Sequence, residues 1–518
     1  MFVRLQGIRR ATAVALGALL LMQTTGCSTW RPVTAPTPTE LQKNPDAKYL
    51  VTTTTERVLE LTSIHYRNDS ILGISPESPG APETGVPMSE VATVRKQAFS
   101  PVTTVIAGLT LAAVLGLASG GGGSGRSASF NFGSCPLIYS WDGSTWHLDS
   151  GTFGGAITPA LTRTDLDNLL FARADGGLLR FRMTDEANES EHVDAFTVVA
   201  VDHPVGTDVA PDARANNTFH VIRALRAPTA ARDFMGRDVL AAVQSPDARS
   251  WESIAENRDP QDPVHLCDGL ELTFRRPDAS DQLQLVVDAQ NTEFAAAMMG
   301  EMVSAFGSLT AKWYDPATTT AASAPMARAQ HAEGFLQVAI WDGTSWRPSG
   351  EIWEAGPEVA KRQVLPIDLT GISGGTIRVR LESAPSFWQI DYVGLGPVVN
   401  AKVVARDLPT VSVTAPRDAD ALAHLQEKDG RFLDMERGDT ISLAVRDTAG
   451  PPAAGMTRAY LARTSGWYRI HGRDDQAPDI ATLTALGEGP HGAAKLAVTR
   501  MNQLLSAAKA GATRASPR

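Results

Sequence analysis

The chain's one internal echo is a six-residue stretch, Trp141-Asp142-Gly143-Ser144-Thr145-Trp146, which returns almost letter for letter as Trp341-Asp342-Gly343-Thr344-Ser345-Trp346. Two kinds of chemistry suit it. Each Asp-Gly follows a strand-like run (LIYS, QVAI) and supplies the positive φ that a hairpin turn needs, so the flanking tryptophans pack across the turn as a staple. Alternatively these four Trp, with Trp353 and Trp388, form an aromatic surface for a sugar ring, whose apolar faces and hydroxyls match aromatic rings beside polar groups. A sialidase-type propeller does not fit, because Asp and Gly are adjacent and only two copies exist. Sharper catalytic signatures are missing from the sequence: no zincin histidine pair, no phosphate-binding glycine loop and no zinc-ribbon cysteine pairs. Gly371-Ile372-Ser373-Gly374-Gly375 fits the letters of a hydrolase nucleophile elbow, but the strand-like TIRVRLES follows where the elbow needs a helix, so a hairpin turn is expected. Asp165, Asp167 and Asn168 offer oxygens of the kind calcium takes, without the rest of a loop, and a solvated loop is the simpler reading. His147, His203 and His265 each neighbour an acid, which fixes no geometry. No catalytic residue, metal or cofactor is therefore assigned.

The cysteines carry the clearest chemistry. Arg4, Arg9 and Arg10 open the chain, and Ala11 to Met22 form an apolar run too short to span a bilayer, which reads as a signal peptide. Thr24-Thr25-Gly26-Cys27 follows and resembles the bacterial lipobox, with Thr24 in place of the usual Leu. That resemblance implies removal of residues 1–26, a lipid on Cys27 and tethering to a membrane. Ser28, rather than Asp, after the cysteine implies the outer membrane over the inner. Cys135 and Cys267 would then sit in an oxidising compartment, either as a disulfide worth about 4 to 5 kcal/mol in the chain-entropy model or as two buried free thiols. Spacing does not decide between them.

The 518-residue chain has a formal charge of −10, and losing residues 1–26 removes three Arg and no acid, leaving −13. So acidic a chain is a poor partner for nucleic acid. Its length allows three or so domains, and its Gly, Pro, Thr and Val content favours β architecture. Residues 27–47, rich in Pro and Thr, read as an extended tether. Residues 48–100 hold short β-rich runs and read as a small barrel or curled sheet, with Asn68-Asp69 at a turn. Alternating apolar and polar residues then mark a β domain at 127–225, a β-sandwich at 226–400 and a smaller β domain at 401–475. One helix interrupts the sandwich, capped by Asn291 or Thr292, with Phe294, Met298, Met302 and Phe306 towards one face. The segment 476–518 ends in an amphipathic helix near 490–509, with Leu496, Met501, Leu504, Leu505 and Ala508 on one side.

Between the tether and the main body, within residues 101–126, lies the uncharged run Val102 to Ala118, which as a helix reaches about 25 Å, slightly short of a hydrocarbon core of about 30 Å. Small residues recur every four positions, Gly108, Ala112 and Gly116 among them, as in helices that pair closely. Three readings stand together: a helix lying on the membrane or against a second copy of the chain, a true span, and a buried helix of the fold. A span would return the main body to the cytoplasm and leave Arg95 and Lys96 outside, against the positive-inside tendency. Gly120 to Gly125 then form a flexible joint.

The stretches CPLIYSWDGSTWHLDSGTFGGAITPALTRTD and DEANESEHVDAFTVVAVDHP, with WDGTSWRPSGEIWEAGPE, LPIDLTG and FWQIDYVGL, resemble a group of uncharacterised exported bacterial proteins over about residues 130–400. The resemblance implies export and β-rich structure and supplies no catalytic residue. The sequence thus points to a mainly β, multi-domain lipoprotein of the bacterial envelope, periplasmic or surface-facing, with a binding or scaffolding role outside the cytoplasm. A carbohydrate-binding or carbohydrate-active role is the rival, so the partner is an envelope protein or a glycan, and self-association through residues 102–118 would mark a component of a larger assembly.

Overall fold

The computed structural model describes residues 28–32, 48–53, 58–67, 69–74, 83–99, 135–214, 217–315, 330–487 and 491–515. Cys27, the signal peptide, most of the tether, the apolar run with Gly108, Ala112 and Gly116, and the glycine joint lie outside them. The chain divides into two compact units, residues 1–129 with 500–518, and residues 130–499.

In the first unit, β1 (Ser28–Pro32), β2 (Tyr49–Thr53), β3 (Val58–Arg67), β4 (Ser70–Ile74), β5 (Thr84–Pro87) and β6 (Val91–Phe99) form one antiparallel sheet in the order β1-β6-β2-β3-β4-β5. Tyr49, Val51, Leu61, Ile64, Ile71, Val86, Val91 and Val94 make its core. The tether expectation needs correcting at its start: Ser28–Pro32 is a strand paired residue for residue with Phe99–Arg95. The free edge of β6 offers unpaired backbone donors and acceptors, and an extended Thr/Pro-flanked segment satisfies them.

The second unit is built from antiparallel strands. Along the chain these are β7 (Leu137–Trp141), β8 (Trp146–Gly151), β9 (Arg163–Asn168), β10 (Leu178–Thr184) and β11 (Glu189–Pro204), then the hairpin β12 (Asp208–Pro211) and β13 (Phe219–Ile222). Next come β14 (Ala230–Asp233), β15 (Trp251–Glu252), β16 (Asp268–Arg275), β17 (Gln282–Asn291), β18 (Leu336–Trp341), β19 (Trp346–Ile352), β20 (Lys361–Asp368), β21 (Thr376–Ser383) and β22 (Trp388–Pro397). The last are β23 (Val404–Leu408), β24 (Thr410–Thr414), β25 (Leu433–Glu436), β26 (Thr440–Arg446) and β27 (Met456–Ile470).

Their pairing overturns the expected domain map. Residues 401–475 are not a separate small domain: β23 and β27 pair with β11, and β24 and β26 extend the sheet of β10, β7 and β8. The first sandwich therefore opens before the second and closes after it. Leu179, Phe181 and Met183 of β10, Ile441, Leu443 and Val445 of β26, and Val193, Phe196 and Val198 of β11 share one core. Burying those apolar faces drives the distant return, since an open sheet would leave them wet.

Both sandwiches have the same wiring. The five-stranded sheets run β24-β26-β10-β7-β8 and β14-β16-β21-β18-β19, and the four-stranded sheets run β23-β11-β27-β9 and β15-β22-β17-β20. Register repeats as well. The β7–β8 ladder slips between Ile138 and Tyr139, and β18–β19 slips two hundred residues on, between Val338 and Ala339. Asp194 bulges from β11 and accepts the amides of Asp429 and Gly430 at 3.1 and 2.8 Å. Asp391 bulges from the equivalent β22 and accepts the amides of Asp247 and Ala248. The fold is an internal duplication in which the strands equivalent to those that open the second sandwich stand, for the first, at the end of the chain.

The expected internal helix forms at Glu293–Ser304, its N-terminus capped by Thr292, whose hydroxyl accepts the Ala295 amide at 3.0 Å, and it buries Phe294, Met298 and Met302. The C-terminal helix runs Gly492–Ala515, and the Glu333 carboxylate accepts the Ala494 amide at 2.7 Å in its first turn. No single helix among the described residues is long and apolar enough to cross a membrane. The bent pair Glu293–Ser304 and Gly307–Tyr314 passes such a test only by length and composition, and its apolar residues belong to the protein core.

Candidate functional site

The repeated Trp-Asp-Gly motif sits at equivalent edges of the two five-stranded sheets. Trp141 pairs across the hairpin with Trp146, ring centroids 5.3 Å apart, and Trp341 with Trp346 at 5.5 Å. The turn is a four-residue loop rather than a two-residue one. Only its glycine takes positive φ, +103° at Gly143 and +106° at Gly343. The aspartate instead closes the loop from within: Asp142 Oδ1 accepts the Ser144 amide (2.7 Å), the Ser144 hydroxyl (2.8 Å) and the Thr145 amide (2.8 Å). Asp342 does the same with Thr344 and Ser345. Burial pushes the Asp142 carboxyl up, but donation from Thr145, His147 and Ser144 outweighs it and holds the group at about 2. These are Asx turns, made by short side chains that mimic a backbone turn.

Guanidinium groups lie over the tryptophans on the face away from the core. Leu179, Phe181 and Met183 fill the core, so the intervening Arg180 and Arg182 point outward, as Arg378 and Arg380 do on β21. Arg182 stands over Trp146 at 4.5 Å, and its register equivalent Arg380 stands over Trp346 at 4.3 Å. Each hairpin thus carries a half-exposed Trp pair topped by arginine, a cation–π arrangement. The staple reading holds for these four tryptophans, and they remain partly open to solvent.

A single aromatic surface of six tryptophans does not form. Trp388 is fully buried, its indole N–H donating to the Gly334 carbonyl at 2.8 Å, because it alternates with the partly exposed Gln389 and Asp391 and so lies on the inward face of β22. Trp353 stacks on Phe335 at 5.2 Å with Arg163 over it at 5.4 Å, and its backbone N–H binds the Ala213 carbonyl, so it joins the two sandwiches.

That junction also claims the residues read as calcium ligands or a solvated loop. Asp165 and Asp167 lie on β9, buried, and both hold the buried Lys361 of β20, at 3.0 and 2.8 Å. Asn168 donates to the Val209 carbonyl at 2.8 Å. Burial raises the Asp165 carboxyl, but Lys361 and Arg163 overcome it and bring it below the usual range; Asp167 is raised by burial, with Asp165 adding to it against Lys361. Among the described residues no group of three or more His, Cys, Asp or Glu is placed to hold a metal ion. Gly371–Gly375 is a turn, as expected, but it crosses from the four-stranded to the five-stranded sheet and is not a hairpin.

The disulfide alternative is also corrected: Cys135 and Cys267 are free. Cys135 belongs to the core of the first sandwich, and Cys267 precedes β16 of the second. Burial pushes the Cys135 thiol far up, and burial with Glu382 pushes Cys267 to about 12, so neither is a ready thiolate. The three histidines noted beside acids are structural: His147 bonds Asp142 and stacks on Phe171 at 4.4 Å, His203 bonds Thr207, and His265 accepts the Asp259 amide.

One constellation escaped the sequence. Ser190 and His192 of β11 alternate outward, opposite Glu436 and Asp434 of β25 and opposite Arg469 and Trp467 of β27. His192 Nδ1 lies 2.7 Å from Asp434 and its ring stacks on Trp467 at 4.0 Å. Ser190 Oγ lies 2.7 Å from His471 Nε2 and donates to Glu436 Oε1 at 2.9 Å. Burial and Arg469 lower the His471 pKa, which keeps it neutral. Ser and neutral His in contact suggest a nucleophile and base, yet the single hydroxyl proton is drawn to the carboxylate, and His471 then donates to Ser190. Glu436 approaches Nε2 of His471, the nitrogen already facing Ser190, instead of orienting the ring through Nδ1. The period-two spacing of Ser190 and His192 is visible in the sequence; their partners lie more than two hundred residues on.

No family model matches this chain, and no curated protein matches it. A solved structure to which it is similar is a beta-porphyranase of glycoside hydrolase family 86 from the human gut bacterium Bacteroides plebeius, at 10% identity and a TM-score of 0.15. The match covers 46% of this chain and 37% of that one, and at such a TM-score it carries no argument.

Proposed function

We propose that this protein is a lipid-anchored component of the bacterial envelope that binds a partner outside the cytoplasm and does not transform it. The observation that supports this most is the repeated Trp–Arg pad, half-exposed on equivalent sheet faces of a duplicated sandwich. A fold that keeps an aromatic and cationic pad twice, on rigid strands, is suited to recognition. The buried cluster of Lys361, Asp165 and Asp167 links the two sandwiches, so the pads ride on one braced unit. With β1 starting at Ser28, a lipid on Cys27 would sit directly beside the first strand.

The half-exposed tryptophans favour a carbohydrate as partner, since a pyranose face stacks on indole while its hydroxyls meet neighbouring polar groups. The anchoring is tested by fractionating native protein, Cys27→Ala, and Cys27→Ala lacking residues 102–118. Release by the Cys27 change alone fits a sole lipid anchor on the outer membrane. Retention until the apolar run is also removed makes that run a second anchor. Native protein in the soluble pool refutes the reading.

A further inference from the structure

The two pads differ on the strand beside Arg182 and Arg380, and the difference there separates an open site from a closed one. In the second sandwich Glu271 of β16 lies directly opposite Arg380 and binds it at 2.5 Å, with Arg378 at 3.1 Å. Arg378 also stands over both Trp341 and Trp346, at 5.1 Å each. Guanidinium charge and tryptophan faces there are satisfied from within the protein. In the first sandwich Arg182 lies opposite Ser442, the residue that takes the place of Glu271. Among the described residues Arg182 has no carboxylate or other hydrogen-bond partner; it rests on Trp146 alone. Arg180, equivalent to Arg378, is turned aside to Asp175 at 2.8 Å, and no guanidinium stands over Trp141 among the described residues.

We infer that the first pad is a binding site for an acidic glycan, a chain of sugars carrying carboxylates, and that the second is the same pad closed by Glu271. The inference rests on the carbohydrate reading given above. One sugar ring stacks on Trp141, and its carboxylate meets the guanidinium of Arg182, which Trp146 holds ready. An uncompensated arginine on an aromatic platform selects a ligand with both a flat apolar face and a negative group. The chain's own charge of −10 gives no long-range steering towards such a ligand, so discrimination falls to Arg182 at short range.

The mature full-length protein is titrated with hexagalacturonate, with the neutral cellohexaose, and with polyglutamate as an acidic polymer without sugar, followed by calorimetry. Hexagalacturonate binds, and the other two bind at least about tenfold more weakly, the loss expected for one charge-assisted contact or one stacked ring. Arg182→Gln weakens hexagalacturonate about tenfold. Ser442→Glu, which copies the closed pad and adds one surface group without touching the core, abolishes binding. The reciprocal Glu271→Ser raises the stoichiometry towards two. Equal binding of cellohexaose or polyglutamate, no binding of hexagalacturonate, or binding unchanged by Ser442→Glu overturns the inference. Envelope fractions from cells carrying Ser442→Glu separate this failure from that of the wider reading: protein still bound to the envelope with no acidic-glycan affinity leaves the anchored binding protein intact.

Discussion

Replacing Lys361 with methionine tests whether the two sandwiches are braced by the buried cluster. Lys361 is 8% exposed and places its ammonium 3.0 Å from Asp165 and 2.8 Å from Asp167, themselves almost fully buried. Methionine keeps most of the volume and removes the charge, leaving two buried carboxylates, with the Arg163 guanidinium 3.5 Å and the Phe153 amide 3.1 Å from Asp165. Breaking a buried pair in this way costs about 3 to 5 kcal/mol, because the stranded charges stay out of water. For a unit of this size that is about 4 to 6 °C in Tm. The loss depends on pH. In the native protein Asp165 has a lowered pKa, so its contribution is present above the unfolded carboxylate pKa and is lost as pH falls through the folded value. Without Lys361 both carboxyls shift upward, and a raised carboxyl stabilises the fold only while protonated. The deficit of Lys361→Met is therefore largest near pH 8 and shrinks towards pH 5. Scanning calorimetry of the mature chain at both pH values reads it, and adding Asp165→Asn and Asp167→Asn recovers stability at pH 8. A deficit under about 1 kcal/mol at pH 8, or one equal at both pH values, refutes the argument.

Three further outcomes follow from particular residues. Gly269→Ala would place a Cβ 1.9 Å from the Leu381 carbonyl oxygen in the paired strand, so the second sandwich loses more than about 3 kcal/mol, read as a drop in Tm; an unchanged Tm contradicts the register of β16 and β21. Burial raises Asp149 to about 6 against the amides of Leu170 and Phe171, so its contribution is full below pH 4 and is lost as pH rises through 6, by about 3 kcal/mol; Asp149→Asn flattens that limb of the stability profile. Both main-body thiols titrate with a disulfide reagent once the non-reduced protein is unfolded in guanidinium, and Cys135 does not react in the native state. Fewer than two titratable thiols would restore the disulfide.

What was legible in the sequence followed from local period. Alternation marked the strands, Thr292 marked the start of the helix Glu293–Ser304, and Trp-Asp-Gly marked both hairpins. What was illegible depended on long-range pairing. Nothing local in TISLAVR says that β26 lies beside β10 and not in a domain of its own, because an amphipathic strand pairs with any partner that completes a core. Asp165 and Asp167 looked like exposed oxygens for the same reason: their partner Lys361 comes nearly two hundred residues later, and only the junction of the sandwiches buries them together. Trp388 reads as surface because it stands beside Gln and Asp on a half-wet strand, whereas the alternation puts Gln389 and Asp391 on the open face and Trp388 on the buried one.

The duplication was written in the chain but scattered. RFR on β10 matches RVR on β21, and VDAF around the bulge of Asp194 matches IDYV around that of Asp391. These fragments have no common offset, since β7 and β18 differ by 200 positions, β10 and β21 by 198, and Asp194 and Asp391 by 197. The strands equivalent to β16 and β17 stand on opposite sides of the repeat, which hides it from any search by fixed period. Once the ladders are aligned, each position in one sandwich becomes a control for the other. Side chains kept in both copies whose bonds stay within the turn, such as Asp142 and Asp342, serve the shared fold, because both copies need the same hairpin. Side chains that differ on the exposed face carry no such obligation. Ser442 against Glu271 is a difference of that kind, and it falls where a carboxylate decides whether an arginine faces its own protein or something else.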